Sequence, residues 1–318
     1  MTVFNTFIVT DPNYERHLTG RGHPETPKRH SEIDKVLRKK KLLTNANCLS
    51  PRVCTEDEIA LCHTKEYLEI VDAEVSDCKE GAIFQLSTGD VNVCSDSYHI
   101  AKLAVGGVFT AVDSVMENIA KKVFCNIRPP GHHACSDMGM GFCLFNNIAL
   151  GARYAQNKYG VERVLIVDWD VHHGNGTQEI FYNDPSVFYF STHQGNYYPF
   201  TGKASETGEH DNICNVPIMP SKNSRNKLIE AFHDKLVPKM QAFKPNLVMI
   251  SAGFDAHKDD GIAHLNLVED DYRILTEIVC KIANEYSEGK IISVLEGGYN
   301  LRALSSSVAV HIETLNSD

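Results

Sequence analysis

The sequence predicts an α/β fold in which one central parallel β-sheet is flanked by helices on both faces. Five short apolar runs rich in β-branched residues are typical of strands buried on both sides. Longer segments with apolar residues at helical spacing separate these runs, and such alternation favours parallel strands. Residues 1–318 are predicted to form a single domain, because the chain contains no low-complexity tract, Gly/Ser linker or fixed-period repeat.

The individual elements follow from these patterns. The predicted strands are residues 123–127, 164–167, 187–190, 247–251 and 291–295. The predicted helices are residues 97–117, 146–159, 225–243, 270–286 and 301–315. Two segments rich in Gly, Pro and polar residues, 11–30 and 194–212, are predicted to be ordered loops, and the second is long enough to suggest a functional role.

Composition limits the classes of function. The formal net charge of -10 argues against a broad phosphate-contacting face, so direct nucleic-acid binding is not expected, whereas a Lys-rich peptide is a compatible partner. Ten scattered cysteines without a CxxC pair predict free thiols in a reducing compartment. Without a signal-peptide pattern or a membrane-length apolar run, a cytoplasmic protein that does not enter a membrane is expected. A nuclear location is compatible with a eukaryotic source, and the oligomeric state stays open.

Each predicted strand leads directly into a polar segment. In chain order these segments are RPPGHHA, DWDVHHGNG, STH, AGFDAH and EGGYN. In open α/β sheets, ligands bind beyond the carboxyl ends of the strands. The residues expected to meet around one crevice are therefore His132, His133, Asp168, Asp170, His172, Asp255 and Tyr299.

Three of these residues predict a metal site. Asp170 and His172 are two positions apart at a strand end, so their side chains are expected to point to the same side. Carboxylate and imidazole together suit Zn²⁺, and Asp255 from another strand end would complete three ligands with a fourth position open. An Asp-x-His pair alone is more often an accident, but Asp255 and the neighbouring histidine pair favour the metal. The same ligand types also suit Fe²⁺.

The histidine pair and a tyrosine predict hydrolytic chemistry beside that metal. His132 and His133 are suited to act as general base and general acid, although one of them could instead be a further metal ligand. Such histidines need an orienting partner on the other ring nitrogen, and Asp168 and Asn175 are available. Tyr299 follows two glycines, and its hydroxyl could donate to an oxyanion; the alternative is an ordinary half-buried tyrosine.

Six motifs in order resemble those of the zinc-dependent histone deacetylase family. They are HPETPKRH, PPGHHA, GFCLFNN, DWDVHHGNG, SAGFDAH and LEGGYN, and they extend from about His23 to the end of the chain. The motif sequences DWDVHHGNG and SAGFDAH are most similar to those of the class II branch and its bacterial relatives. The resemblance implies the arginase/deacetylase fold, one catalytic Zn²⁺, and hydrolysis of the amide of an acetylated lysine side chain in a protein or peptide.

The resemblance also implies roles for the site residues. The positions that match the family's zinc ligands are Asp170, His172 and Asp255. The positions that match its tandem histidines and their orienting partners are His132, His133, Asp168 and Asn175. His133 would be the main general base and acid. Tyr299 matches the tyrosine that stabilises the transition state, and because weakly active class IIa proteins of vertebrates have histidine there, it predicts a competent enzyme.

A structural ion and a substrate channel are further implications of the resemblance. A potassium ion would be bound by Asp168, Ser191 and the backbone carbonyls of Asp170, His172 and Thr192. The acyl-lysine channel would be lined by Gly141, Phe142, Tyr198 and Ile262. Tyr198 departs from the family's usual phenylalanine and would add a polar rim. Asp90 falls where some members hold the substrate backbone, and Arg29 matches an arginine near the inner cavity from which acetate leaves.

Three other functions compete with this interpretation. Acetylpolyamine deacetylation would use the same site, but polyamine-selective relatives have an acidic residue where the chain has Ile262. A binuclear manganese hydrolase similar to arginase needs further ligands, and the DWDVHH segment does not supply a DxHxD pattern. A catalytically inactive scaffold often lacks a ligand or the tyrosine, whereas this chain has the full set.

Overall fold

A sheet of eight parallel strands crosses the protein, as described for residues 5–317 by a computed structural model. The strands are β1 (Thr6–Val9), β2 (Cys48–Leu49), β3 (Phe84–Gln85), β4 (Asn92–Val93), β5 (Lys122–Cys125), β6 (Val164–Asp168), β7 (Val187–Gln194), β8 (Ile213–Ile218), β9 (Leu247–Ala252) and β10 (Ile291–Leu295). The sheet order is β2-β1-β5-β10-β9-β6-β7-β8, while β3 and β4 form a separate antiparallel hairpin. The predicted α/β fold with a central parallel sheet is confirmed.

Helices cover both faces of this sheet. They are α1 (Lys28–Lys39), α2 (Glu56–Ile59), α3 (Lys65–Ser76), α4 (Ser97–Met116), α5 (Asn147–Tyr159), α6 (Asn175–Phe181), α7 (Ser224–Ala231), α8 (Val237–Phe243), α9 (Glu269–Tyr286) and α10 (Leu301–Ser317). Successive strand residues point to opposite faces. In β5, for example, Val123 packs with α4 and α5 in one apolar cluster, and Phe124 packs with α1, α9 and α10 in another.

The strand prediction was incomplete at the edges of the sheet. It missed β1, β2 and β8, of which β2 and β8 are the two edge strands. β8 contains Pro217, a residue that sheets accept mainly at their edges and that weakens a strand pattern in the sequence. β7 continues four residues beyond its predicted end, because Ser191–Gln194 pair with β8. The loop predicted from residue 194 therefore starts after that residue.

Two helical segments also differ from the prediction. The helix predicted over residues 225–243 consists of α7, a π-helical turn (Phe232–Leu236) and α8. Pro238 has no N–H to donate to the preceding turn, and the helix widens immediately before it. The loop predicted over residues 11–30 contains a 3₁₀ helix, Pro12–Arg16, and the start of α1.

α4 is the central helix on its face of the sheet. By length and composition it could cross a membrane, but 72% of its apolar window is buried inside the protein. A core helix of a large domain has the same character. The single domain over residues 1–318 stays a prediction, and residues 1–4 and 318 of that range lie outside the described part of the chain.

Candidate metal centre

The five strands that the sequence predicted are neighbours in the sheet, in the order β5-β10-β9-β6-β7. Because all five run parallel, the segments that follow them meet at one edge. The structure therefore brings the predicted polar residues together at the carboxyl ends of these strands, as the sequence indicated.

Asp170, His172 and Asp255 form a buried cluster at this edge, and their candidate ligand atoms lie within 4.8 Å of one another. Nδ1 of His172 is 3.0 Å from Oδ1 of Asp170 and 3.1 Å from Oδ2 of Asp255. The other carboxylate oxygens are held by the backbone: Gly297 donates to Asp170 at 2.7 Å, and Val171 donates to Asp255 at 2.9 Å. Apart from this contact with His172, Oδ2 of Asp255 is buried without a hydrogen-bond partner among residues 5–317, which leaves it available to bind a cation.

The electrostatics of this cluster favour added positive charge. Burial and the neighbouring Asp170 raise the pKa of Asp255 to about 7. Burial disfavours the charged form of His172, but Asp255 and Asp170 outweigh burial and raise its pKa to about 10. A Cβ atom on Gly297 would lie 2.1 Å from Oδ2 of Asp255, so the absence of a side chain at Gly297 leaves space for a cation beside this carboxylate. Two carboxylates and an imidazole in this geometry fit a divalent cation.

His132 lies beside the metal cluster in a strongly acidic environment. Its Nδ1 donates to Oδ2 of Asp168 at 3.0 Å, and its Nε2 is 3.9 Å from Asp170. Tyr189 donates to the same Asp168 oxygen at 2.9 Å, which fixes the carboxylate that orients the ring. Burial disfavours a charged His132, but Asp168 and Asp170 outweigh burial and raise its pKa to about 10.

His133 has the opposite electrostatic character. Its Nδ1 is 2.8 Å from Oδ1 of Asn175, so Nδ1 donates and Nε2 is left as the basic nitrogen. Burial and the neighbouring His132 and His172 hold the pKa of His133 well below its usual range. The surroundings thus favour the protonated form of His132 and the neutral form of His133, whose ring centroids are 4.0 Å apart.

Tyr299 and Arg29 pack together next to the metal cluster. The Arg29 guanidinium carbon is 5.2 Å from the Tyr299 ring centroid, and its Nε donates to the carbonyl of Gly298 at 2.6 Å. The Tyr299 backbone N–H donates to Oδ2 of Asp260 at 2.7 Å. Burial and the nearby carboxylates Asp255 and Asp170 raise the pKa of Tyr299 well above its usual value, so the phenol remains a hydrogen-bond donor.

A cavity of about 250 Å³ leads to these residues from the surface. It is lined by Asp90, His133, Gly141, Phe142, His172, Tyr197, Tyr198, Ile262 and Tyr299. All the predicted channel residues and Asp90 therefore lie on this cavity, whereas Arg29 is fully buried and packs against the Tyr299 ring. Gly141 has a left-handed φ of 54°, and a Cβ there would lie 2.3 Å from the His133 ring.

Side-chain hydrogen bonds tie the walls of the cavity to neighbouring loops. Asp90 accepts from the Tyr198 hydroxyl at 2.9 Å and from the Gly141 backbone N–H at 2.7 Å. The Tyr197 hydroxyl donates to the carbonyl of Ile262, and the Tyr197 ring stacks on His172 at 5.8 Å. The polar rim expected from Tyr198 thus consists of a tyrosine bonded to a carboxylate.

The residues predicted to bind potassium lie next to the metal cluster. Asp168 and Ser191 are partners in the β6–β7 register. The Ser191 hydroxyl is 2.9 Å from Nδ1 of His193, and the Thr192 hydroxyl is buried without a partner among the described residues. Oδ1 of Asp168 accepts the backbone N–H of Asp170 at 3.1 Å. The ion itself stays a prediction.

Sequence reasoning missed four residues of this region: Tyr189, Tyr197, Asp260 and Glu296. Tyr189 and Tyr197 lie in or beside segments that had been identified, and an aromatic residue next to a predicted channel wall was a usable signal. Glu296 belongs to the LEGGYN motif, and an acidic residue at the end of a buried strand was a signal of the same kind as Asp168.

Comparisons with known proteins agree with this geometry. A family model described as histone deacetylase domain matches residues 23–315. An uncharacterised protein of Synechocystis is 41% identical over 97% of this chain and 97% of its own length. The polyamine deacetylase HDAC10 of Mus musculus is 36% identical over 92% of the chain, which spans 45% of that protein. The crystal structure of an HDA15 HD domain superposes with a TM-score of 0.89 at 35% identity, covering 99% of this chain and 90% of that one.

Proposed function

The chain belongs to the histone deacetylase family, and from this premise we propose that it is a zinc-dependent deacetylase acting on N-epsilon-acetyl-lysine in proteins or peptides. Membership makes it a hydrolase of an amide bond. The observation that carries the finer proposal is the cavity of about 250 Å³, which joins half-buried aromatic walls to a buried Asp–His–Asp cluster. An acyl-lysine has the matching shape, with a flexible apolar stem that ends in an amide.

Asp170, His172 and Asp255 would hold the metal. A divalent zinc ion bound there would polarise the acetyl carbonyl and lower the pKa of a water molecule to about 7. The protein's contribution is to fix the three ligands, and two of them are held by backbone N–H groups of Gly297 and Val171. Ligands fixed in this way need no rearrangement during the reaction.

Proton transfer is assigned to His133. Its pKa is depressed by burial and by its histidine neighbours, so at neutral pH its Nε2 can accept a proton from the attacking water. The water oxygen then bonds to the acetyl carbon, the C–N bond breaks, and the same nitrogen returns the proton to the departing lysine amine. Asn175 keeps Nδ1 as the donor and so maintains the required tautomer.

Two groups would stabilise negative charge on the acetyl oxygen. The Tyr299 phenol stays protonated because its pKa is raised, and it can donate to the oxyanion. The carboxylates of Asp168 and Asp170 favour the protonated form of His132, which would add positive charge close to the reacting atoms. Both contributions would be larger in this water-poor site than at the surface.

Acetylpolyamine deacetylation is the second candidate. The similarity to the mouse polyamine deacetylase supports it, and the exposed Asp90 carboxylate at the opening could attract a cationic substrate. The half-buried Ile262 on the same cavity favours acyl-lysine, because an apolar residue gives a secondary ammonium no partner. A polyamine stem and a lysine stem have the same width, so the residues at the opening would decide between them.

A side-by-side assay tests both proposals. The purified protein is assayed on an acetyl-lysine peptide, on longer acyl-lysine peptides and on acetylspermidine, before and after chelation and after Zn²⁺ is restored. We expect the acetyl-lysine peptide to give the highest kcat/KM, and we expect activity to disappear with the metal and return with Zn²⁺. Unchanged activity after complete metal removal would contradict the mechanism, and a strong preference for acetylspermidine would overturn the choice of substrate.

A further inference from the structure

The backbone of the loop that carries the tandem histidines is hydrogen-bonded by several side chains, which we call its anchors. Side chains from other elements bond to the backbone of residues 129–134, and they are Asn146, Asn147, Asn175, Thr177 and Glu296. Four of them are neutral and bond to carbonyl groups. Buried backbone groups need partners, and this loop finds most of its partners in side chains rather than in a strand or helix.

Glu296 is the anchor that holds the N–H groups of this loop. Its Oε2 accepts from the backbone of Gly131 at 2.7 Å and from the backbone of His132 at 3.1 Å. Its Oε1 accepts from the Ser251 hydroxyl at 3.1 Å. The side chain is fully buried at the end of β10, so it links the histidine loop to two adjacent strands of the sheet, β10 and β9.

The loop has no room to move away from this anchor. A Cβ on Gly131 would lie 2.5 Å from the backbone nitrogen of Asn147, at the start of α5. Gly131 thus packs closely against the start of α5 and also donates its N–H to the Glu296 carboxylate. His132 and His133 follow immediately, so a displacement of the Gly131 backbone would be passed directly to both imidazole rings.

We propose that Glu296 is a positioning residue of the deacetylase reaction. Its Oε2 fixes the backbone of Gly131 and His132 and thereby holds both tandem imidazoles at the correct position relative to the metal cluster. This proposal rests on the proposed function. The two N–H groups determine where the acceptor oxygen must lie. The loop therefore requires a side chain at position 296 that is long enough to place an oxygen there. Burial also raises the pKa of Glu296 to about 7, which agrees with a role that does not depend on a full charge.

Two variants distinguish the effect of side-chain length at position 296 from the effect of its charge. In Glu296→Gln the amide oxygen can occupy the place of Oε2 and accept both N–H groups, while the amide nitrogen donates to the Ser251 hydroxyl. In Glu296→Asp the charge is kept, but the acceptor is withdrawn by one methylene. If side-chain length determines the effect, the Gln variant should have a kcat close to that of the native enzyme, and the Asp variant should not.

The experiment measures kcat and KM of the zinc-loaded 318-residue protein on the acetyl-lysine peptide. We expect Glu296→Gln to retain kcat within about threefold, and Glu296→Asp to lose about 100-fold in kcat with KM within about twofold, since small displacements of catalytic groups cost rates of this order. Ser293→Ala is the matched control, because it removes a buried hydrogen bond of the same strand, from Ser293 to His311 at 2.9 Å, away from the histidine loop. It should lower thermal stability and leave kcat unchanged.

Several outcomes overturn the proposal. Native kcat in both variants would show that the anchor is dispensable, and a large loss in Gln with activity kept in Asp would show that charge matters instead. If the Asp variant is too unstable to assay, Glu296→Met replaces it, because methionine has a similar length but no acceptor oxygen for the two N–H groups. Loss of kcat in a folded Met variant together with native kcat in Gln supports the proposal, and native kcat in Met or loss of kcat in a folded Gln variant contradicts it. An inactive wild-type protein would instead refute the proposed function, so the two failures are distinguishable.

Discussion

The cavity has a base of buried residues held at the sheet edge and a mouth of half-buried or exposed residues held by loops. The base consists of Asp170, His172, Asp255 and the tandem histidines, all at most 8% exposed. The mouth consists of Asp90, Phe142, Tyr197, Tyr198 and Ile262. His133 and His172 of the base line the same cavity as the mouth, yet the two parts are stabilised by different kinds of contact.

Contacts at the base are numerous and mostly involve the backbone. Asp170 accepts N–H groups from His172 and Gly297, and each tandem histidine has its own orienting partner. At the mouth, each tyrosine hydroxyl makes one bond to a neighbouring loop, and Phe142 adopts a left-handed φ of 70°. The difference suggests that the base determines whether the reaction occurs, and the mouth determines which substrate enters.

The largest expected effect comes from removing a ligand at the base. Asp255→Ala should lower kcat/KM by at least about 1,000-fold, because metal polarisation of the carbonyl supplies several kcal/mol of transition-state stabilisation. The bound zinc should fall well below one equivalent, as measured by metal analysis after dialysis. Zinc content therefore provides a second measurement besides activity.

Asp259→Ala is the matched control for that variant. Asp259 lies four residues further along the chain, and its side chain is 62% exposed. It should keep both zinc and activity. An Asp255→Ala protein that binds a full equivalent of zinc and turns over normally would remove Asp255 from the metal site.

A smaller loss is expected when the base keeps its metal but loses a donor. Tyr299→Phe should lower kcat by about 100- to 1,000-fold, the usual cost of one oxyanion donor, with KM within about twofold. Tyr154→Phe is the control, since it removes a phenol bond to Asp113 at 3.2 Å in a part of the protein remote from the cavity. If Tyr299→Phe kept full kcat, the tyrosine would have no role in the transition state.

The base could be predicted from the sequence, and so could most residues of the mouth through the family resemblance, but the contacts that hold the mouth could not, for a physical reason. A buried strand that ends in polar residues is a local pattern, and parallel strands bring such ends together whatever the order of the strands in the sheet. The partner of Tyr197 is a carbonyl 65 residues away, and that of Glu296 is an N–H group 165 residues away. No local pattern reports such pairs. The edge strand β8 was missed for a related reason, since its pairing with β7 outweighs its weak strand pattern.

The smallest expected effect is at the mouth. It tests most directly whether the base determines the reaction and the mouth determines which substrate enters. Tyr198→Phe removes one partly exposed hydrogen bond to Asp90, worth about 0.5–1.5 kcal/mol, so kcat/KM for the acetyl-lysine peptide should change by less than about tenfold. The change should appear in KM, with kcat within about twofold, because the metal cluster and the tandem histidines are not altered. Tyr159→Phe is a matched control, since it removes a phenol bond of the same chemistry, to Asp113 at 2.8 Å, far from the cavity. A 100-fold loss of kcat in Tyr198→Phe would show that the mouth also positions the reacting groups, and the separation of chemistry from selection would then fail.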